Sequence, residues 1–208
     1  MSPFRPDLVD VWIFRFRRAG AVAPTTGPTA GPTAEPTAAP TAGPTAAPAG
    51  PIAARAAPPT PPKLGLEILL MRRSPGRILP GLWQCVSGSL EAGESVTDGA
   101  LRELVEETGF GQEQIGGFYD LDQVNQFHEP SVRGIVTAAV FAVRVGPTFE
   151  PVLSHEHDAL RWVSPEEALE LAVWPAYRES IRRIVENLID PERSIWFELT
   201  LAGDRARV

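Results

Sequence analysis

The sequence predicts an α/β fold, an α/β/α sandwich in which helices cover both faces of a mixed central sheet. Strand-like and helix-like segments alternate irregularly along the chain, which is typical of a mixed rather than an all-parallel sheet. Apolar residues make up 43% of the 208 residues and include five Trp and nine Phe. A chain of this composition can bury a sizeable core without disulfide bonds.

Six segments have the β-branched and aromatic composition of strands. They span residues 8–17, 66–73, 83–90, 118–124, 135–145 and 160–163. A helix is predicted over 95–108, because Gly109 supplies the glycine that commonly follows a helix C-terminus. The sequence Ser-Pro-Glu-Glu from Ser164 predicts a second helix start, with Ser at the N-cap and Pro at the first helical position. A final amphipathic helix is expected over 177–188.

Residues 20–62 contain a degenerate Gly-Pro-Thr-Ala repeat, with proline at every fourth or fifth position through much of it. Such spacing is incompatible with helix and sheet and favours solvated polyproline II. We therefore expect residues 1–19 and 63–208 to form a single domain, with 20–62 as a disordered loop insertion. Lengthening a loop from about five to about forty residues costs roughly 2 kcal/mol of closure entropy, which a domain can tolerate. The insertion is either passive or a site of docking or modification.

Charge and cysteine content exclude several kinds of partner and compartment. The formal net charge is −7 and the isoelectric point is about 5.1, so we expect no binding to a nucleic-acid polymer or a membrane. A small polyphosphate remains compatible, because a divalent cation can bridge two sets of negative charge. The single cysteine, Cys85, and an N-terminus without signal-peptide character predict a cytoplasmic protein. The sequence leaves the oligomeric state open.

The predicted helix over 95–108 separates an apolar face from an acidic face, given a rotation of about 100° per residue. The apolar arc comprises Leu101, Leu104, Val105 and Thr108, and the opposite arc comprises Glu103, Glu106 and Glu107. Like charges at these spacings repel one another slightly on an exposed helix. The acidic arc is therefore either a solvated surface or a set of oxygen ligands for a divalent cation such as Mg²⁺.

The residues around this helix form a longer pattern. It runs Gly88, five residues, Glu94, seven residues, and then Arg102-Glu-Leu-Val-Glu-Glu-Thr-Gly-Phe. Seven fixed residue types at these spacings would occur by chance in on the order of 10⁻⁹ of windows. The pattern matches the Nudix box at every specified position, so the chain resembles the Nudix hydrolases. Residues 83–89 and 155–163 further resemble the branch of dihydroneopterin triphosphate and dATP pyrophosphohydrolases.

The resemblance implies a Nudix-type sandwich and a role for each polar residue of the box. The implied metal ligands are Glu103, Glu107, Glu106, the carbonyl of Gly88 and, from outside the box, Glu156, with Glu150 and Glu129 as weaker rivals. The implied catalytic residues are Glu106, Glu103, Arg102 and Glu94. Glu106 is either a further ligand or the base for the attacking water, Glu94 acts through water or the metal shell, and Arg102 orients the carboxylates. The cofactor is expected to be Mg²⁺, with Mn²⁺ as the alternative.

Three residues after the box are candidates for contact with the substrate. Tyr119, Phe127 and Arg133 lie on or between predicted strands, where they could stack on a ring or bind phosphate. Aromatic residues in such positions more often belong to the core. His155 and His157 indicate a zinc site only weakly, because two His without Cys or a third His are an incomplete ligand set.

The resemblance implies a reaction, the hydrolysis of a dNTP or of dihydroneopterin triphosphate to the monophosphate and pyrophosphate. Many carboxylates suit this chemistry, because the cations that they hold neutralise the phosphates and activate water. Other phosphorylated small molecules remain open as substrates, namely ADP-ribose, a dinucleoside polyphosphate or an oxidised nucleotide. A non-catalytic Nudix module that senses a nucleotide is the alternative from a different functional class.

Overall fold

One mixed sheet organises the protein. The structure is a computed structural model that describes residues 6–18 and 64–206. Its strands are β1 (Leu8–Arg18), β2 (Leu64–Arg73), β3 (Trp83–Gln84), β4 (Val86–Ser89), β5 (Ile115–Glu129), β6 (Gly134–Val145), β7 (His157–Val163) and β8 (Glu198–Leu199). The predicted insertion at 20–62 lies outside the described residues.

Four α-helices accompany these strands in the described part of the chain. They are α1 (Val96–Thr108), α2 (Pro165–Leu171), α3 (Pro175–Arg183) and α4 (Pro191–Ser194). A 3₁₀ turn at Gln112–Gln114 precedes β5, and a π-helical turn at Ile184–Leu188 continues α3. No helix among the described residues is long and apolar enough to cross a membrane.

The sheet order is β3-β2-β1-β6-β5-β8, with β4 paired to β1 and β7 paired to β2. Strand β1 runs parallel to β6 and antiparallel to β4, whereas β5 and β6 form an antiparallel hairpin. Both parallel and antiparallel pairs are present, so the predicted mixed sheet is confirmed. Because β3 and β7 both pair with β2, the C-terminal end of β2 lies between two other strands.

Alternate residues of β1 divide the core into two layers, as the two-residue period of a strand requires. Val9, Val11 and Ile13 pack with Leu101 and Leu104 of α1 on one face. On the other face, Trp12 and Phe14 pack with residues of α2, α3 and the π-helical turn. Helices therefore cover both faces, and the predicted α/β/α sandwich is confirmed.

Helix α1 begins and ends where its sequence signals lie. The Ser95 hydroxyl accepts a hydrogen bond from the Asp98 N–H at 3.1 Å. At the other end, Gly109 adopts the left-handed conformation with φ of 65°, and its N–H donates to the Val105 carbonyl at 2.9 Å. These two caps define the two ends of the helix that carries the box.

All six predicted strands and all three predicted helices are present, with shifted ends. The strand predicted at 83–90 is interrupted at Cys85 and becomes β3 and β4. Strand β5 is longer than predicted and is irregular between Asp120 and Val124. Sequence reasoning did not find α4, β8 or the turn at Gln112–Gln114.

We predict that Gly109→Ala lowers the free energy of unfolding by about 1–2 kcal/mol, because an L residue at this φ is strained. Urea denaturation measures the change. Gly146→Ala is the matched control, since Gly146 has ordinary φ and no atom within 4 Å of an added Cβ. Equal stability of the two variants would contradict the left-handed cap.

Candidate active site

Helix α1 packs so closely against β4 that a carboxylate of the helix lies directly against the strand backbone. The Glu103 carboxylate occupies the space that a Cβ at Gly88 would fill. Any larger residue at this position would displace the Glu103 carboxylate, and the Gly88 backbone lies directly against the first carboxylate of the acidic arc. The prediction that Gly88 and Glu103 act together has this contact as its geometric support.

Arg102 joins the carboxylates of the box. Its Nε donates to Glu94 Oε1 at 2.9 Å and its Nη2 to Glu94 Oε2 at 3.1 Å. Its Nη1 donates to Glu103 Oε1 at 2.9 Å and to Glu106 Oε2 at 3.3 Å. The remaining Nη2 bond, at 2.8 Å, goes to the Ser89 carbonyl and ties the guanidinium to the end of β4. A single cation thus holds three carboxylates that would otherwise repel one another.

The carboxylates differ in exposure, which suits them to different roles. The Glu106 side chain is 59% exposed, that of Glu103 is 12% exposed and that of Glu107 is 5% exposed. Glu106 is therefore open to water, whereas Glu107 lies between α1 and the sheet. Val105, expected on the apolar arc, is 42% exposed. The acidic arc was predicted correctly, but the buried surface of the helix is rotated toward Glu107 and away from Val105.

Burial dominates the electrostatics of Glu107. Burial first, and then the neighbouring charges of Glu103 and Glu156, raise the pKa of this carboxyl to about 8, against a hydrogen bond from the Ser87 N–H. The pKa of Glu103 is also raised, first by burial, although Arg102 opposes the shift. The Glu107 Oε2 atom is buried without a hydrogen-bond partner among the described residues.

Glu156 approaches this group from the segment before β7. The Ser154 N–H donates to the Glu107 carbonyl at 3.1 Å, which ties this segment to the end of α1. Glu156 itself pairs with Arg77 of the β2–β3 loop, at 3.1 Å between Oε1 and Nη2. Its charge acts on both Glu103 and Glu107. The structure therefore brings the predicted outside carboxylate to the box.

The two rival carboxylates are held elsewhere. Arg15 is buried and contacts Glu150 Oε1 at 3.2 Å. Glu129 lies at the end of β5, where its Oε1 accepts the Ser131 N–H at 2.9 Å. Neither contact is shared with α1, so Glu156 is the stronger candidate.

The donor set fits a hard divalent cation, because it consists of carboxylate oxygens with one buried oxygen unsatisfied. No three carboxylate, thiolate or imidazole groups among the described residues are gathered closely enough to hold a metal ion as they stand. Arg102 lies among Glu94, Glu103 and Glu106, and Arg77 holds Glu156. A cation would have to draw carboxylates away from these arginines by side-chain rotation.

The three candidate substrate residues are not brought together. Tyr119 is only 1% exposed and packs on the Phe14 ring, with the ring centroids 5.9 Å apart. The prediction of substrate stacking for Tyr119 is therefore wrong, since the ring belongs to the core. Phe127 is 42% exposed on β5, and Arg133 is exposed in the β5–β6 turn. An open cleft of about 420 Å³ instead borders Arg102 and Glu106.

Three polar residues lie behind Glu107; sequence reasoning considered His157 only as part of a weak zinc pair and overlooked the other two, Gln84 and Arg73. His157 is buried with its Nδ1 3.7 Å from Glu107 Oε2, and Gln84 and Arg73 lie behind it. Burial and neighbouring positive charge lower the pKa of His157 to about 4, so the ring is neutral. No common sequence signal marks them, because Arg73 ends the predicted strand over 66–73, Gln84 lies within that over 83–90 and His157 precedes that over 160–163.

The fold and the site define an α/β/α domain whose first long helix presents clustered carboxylates at the edge of a sheet. A model of the NUDIX domain matches residues 51–184, and a model of the PT disordered repeat matches residues 20–50. The chain therefore belongs to the Nudix hydrolase family.

Two curated relatives each match just over half of the chain. The CTP pyrophosphohydrolase of Escherichia coli is 38% identical over 112 residues, which is 53% of this chain and 76% of that protein. The octanoyltransferase of Myxococcus xanthus is 41% identical over 119 residues, which is 56% of this chain but 32% of that protein. The chain thus spans about a third of the second relative's length.

Solved structures resemble the fold at low sequence identity. An Ap4A hydrolase of Caenorhabditis elegans aligns with a TM-score of 0.57 and 17% identity, over 89% of this chain and 98% of that one. The E. coli dihydroneopterin triphosphate pyrophosphohydrolase aligns with a TM-score of 0.50 and 20% identity, over 86% and 98% of the two chains. At such identity these similarities extend to the fold alone.

We predict that the metal-free protein loses stability as pH rises from about 6.5 to about 8, because Glu107 then titrates without an opposing change at His157. In the unfolded chain the Glu107 carboxyl has its ordinary pKa of 4.5, whereas the folded carboxyl keeps its proton to about 8. The extra proton that the folded state holds at Glu107 lowers the free energy of unfolding as pH rises between these values. Below about 6.5 this contribution is offset, because the folded state keeps His157 neutral whereas the unfolded chain protonates it; above about 6.5 the fall is no longer offset, and it levels off near pH 8. Urea titrations in EDTA measure this dependence.

Glu107→Gln should remove this component of the pH slope, because an amide does not titrate. Glu106→Gln, which removes an exposed carboxylate from the same helix, is the matched control and should leave the component in place. Identical slopes in the wild type and Glu107→Gln would contradict the burial of this carboxyl.

Proposed function

We propose that the chain is a Mg²⁺-dependent pyrophosphohydrolase that cleaves a nucleoside triphosphate or dihydroneopterin triphosphate to the monophosphate and pyrophosphate. The observation that carries the proposal is the intact box folded as one unit, with a buried, unsatisfied Glu107 oxygen beside Glu103. The match to the CTP pyrophosphohydrolase over 76% of its length supports a triphosphate as substrate.

The ligand roles follow from burial and position. Glu103 and Glu107, which are buried, would hold the cation together with Glu106, Glu156 and the Gly88 carbonyl. Mg²⁺, or Mn²⁺ in its place, would neutralise the phosphate charge and lower the pKa of water when bound. A strongly acidic site can accept a polyphosphate only with such neutralisation.

Glu106 is the best placed carboxylate to accept the proton of the attacking water, because its side chain is 59% exposed and borders the open cleft. As the oxygen of water forms its bond to phosphorus, the bridging P–O bond of the anhydride breaks and pyrophosphate leaves. Arg102 orients Glu94, Glu103 and Glu106. Its bond to the Ser89 carbonyl holds the guanidinium in place when these carboxylates rotate toward a cation. Glu94 acts through this network.

The first test is a release assay with purified protein and Mg²⁺. The substrates are dihydroneopterin triphosphate, the four dNTPs, CTP, ADP-ribose and diadenosine polyphosphates, with pyrophosphate and phosphate scored separately. We expect pyrophosphate from a triphosphate, abolished by EDTA. Turnover of ADP-ribose or a dinucleoside polyphosphate alone would replace the proposed substrate class, and no turnover of any compound would refute the proposal.

Glu107→Gln should lower turnover by several orders of magnitude, because the amide removes the buried anionic ligand while keeping its shape. Glu170→Gln, which makes the same isosteric change at an exposed position of α2, should leave turnover unchanged. Circular dichroism establishes that both variants are folded. Wild-type turnover in Glu107→Gln would remove this carboxylate from the mechanism.

We further propose that residues 20–62 are a passive insertion within a single catalytic domain. The strands on either side, β1 and β2, are adjacent in one sheet, and the PT disordered repeat model matches residues 20–50. Replacing 20–62 with a short Gly-Ser linker should leave kcat and KM unchanged. A loss of turnover in a folded deletion variant would assign the segment a role in catalysis.

A further inference from the structure

Two buried polar atoms face each other behind the carboxylate cluster. His157 Nδ1 lies 3.7 Å from Glu107 Oε2, and the side chains are 0% and 5% exposed. Neither atom has a hydrogen-bond partner among the residues that the structure describes. A buried polar atom without a hydrogen-bond partner costs desolvation free energy. When one such atom is a donor and the other an acceptor, a hydrogen bond between them removes this cost for both.

The hydrogen-bond network behind His157 determines which ring nitrogen carries the proton. Arg73 can only donate, and its Nη1 lies 3.4 Å from Gln84 Oε1. The amide orientation of Gln84 then turns its Nε2 toward His157 Nε2, at 3.5 Å. Because the amide nitrogen is a donor, His157 Nε2 must accept, and the proton of the neutral ring is on Nδ1. That proton points at Glu107.

Strand pairing places these groups in a row. Strand β2 pairs with β3 on one side and with β7 on the other, and Arg73, at its end, is opposite His157. Gln84 is paired with Met71 and is 3% exposed. The three donors therefore lie on the rigid ends of three strands rather than on loops, which suits the precise placement of a ligand.

The other Glu107 oxygen already has a donor. The Ser87 N–H donates to this carboxylate, and Oε2 has no partner among the described residues, so the bond goes to Oε1. A bond from His157 would give each oxygen one donor and leave each a free lone pair. The present 3.7 Å contact exceeds a formed hydrogen bond of roughly 2.7–3.2 Å, so a movement of about 0.5–1 Å would close it.

We propose that His157 is a positioning residue for this reaction: its Nδ1–H donates to Glu107 Oε2 and fixes the plane in which the carboxylate presents its lone pairs to the cation. The inference rests on the proposed function, which makes Glu107 a metal ligand. Arg73 and Gln84 set the direction of the donor by fixing the tautomer of the ring. Partners of this kind orient a metal ligand without touching the metal.

The first experiment observes the tautomer directly. The chain has three histidines, so long-range ¹H–¹⁵N correlation spectra of the ring nitrogens can be assigned by replacing each in turn. We expect the His157 ring to be protonated at Nδ1 and unprotonated at Nε2. Protonation at Nε2 alone would overturn the proposal, whatever the enzyme's activity.

The second experiment measures Mn²⁺ affinity by electron paramagnetic resonance, without substrate. His157→Leu removes the donor and should weaken binding about 10–100-fold. His157→Asn keeps an N–H near the position of Nδ1 and should restore most of the affinity. His128→Leu, at an exposed position of β5, is the matched control and should bind as the wild type does.

The outcomes separate this inference from the proposed function. Wild-type affinity in a folded His157→Leu variant would overturn the positioning role and leave the metal site intact. Equal weakening in His157→Asn and His157→Leu would assign His157 a packing role and also overturn the inference. No Mn²⁺ binding by the wild type would overturn the proposed function and this inference with it. If His157→Leu does not fold, the tautomer of the wild-type ring and the Mn²⁺ affinity of His157→Asn still test the inference.

Discussion

The structure depends on how helix α1 accommodates several negative charges on one turn and a half of its surface. Arg102 compensates two of them, Glu103 and Glu106, together with Glu94 before the helix, through four hydrogen bonds, and it is itself fixed to the Ser89 carbonyl. Glu107 is compensated differently, by burial that keeps it protonated to a pH of about 8. The repulsion on the acidic helix is therefore offset without a cation. A bound cation could take over both roles, that of the Arg102 guanidinium and that of the proton on Glu107.

The site also requires that α1 and β4 be in close contact. A Cβ at position 88 would displace the Glu103 carboxylate from its present position, and the caps at Ser95 and Gly109 determine where the helix begins and ends. Backbone bonds from Val152 and Ser154 to the last turn of α1 then bring in Glu156. Local signals in a short stretch thus fix the helix, and one segment far along the chain completes the cluster.

Much of the fold and of the site could be predicted, because the box is local. Helical spacing was sufficient to place Glu103, Glu106 and Glu107 on one arc. It could not predict that Glu107 is buried and Val105 exposed, since this depends on the tilt of α1 against the sheet. Tyr119 was misassigned because both faces of β5 are covered at this point: Phe118 and Tyr119 are both buried, in the two layers of the core, and only the tertiary packing shows this.

The two faces of the sheet contain buried carboxylates in contrasting environments. Asp10, on the α3 side, is 3% exposed, and its Oδ2 accepts the Asn125 amide at 2.8 Å. Burial raises the pKa of Asp10, while hydrogen bonds from Ser87 and Asn125 lower it. A carboxyl with such partners contributes to a specific, rigid core. Glu107 is as deeply buried but retains an unsatisfied oxygen beside other carboxylates. Burial alone therefore does not distinguish the two carboxyls, whereas an unsatisfied oxygen next to like charge does, and this supports the proposal that the chemistry lies on the α1 face.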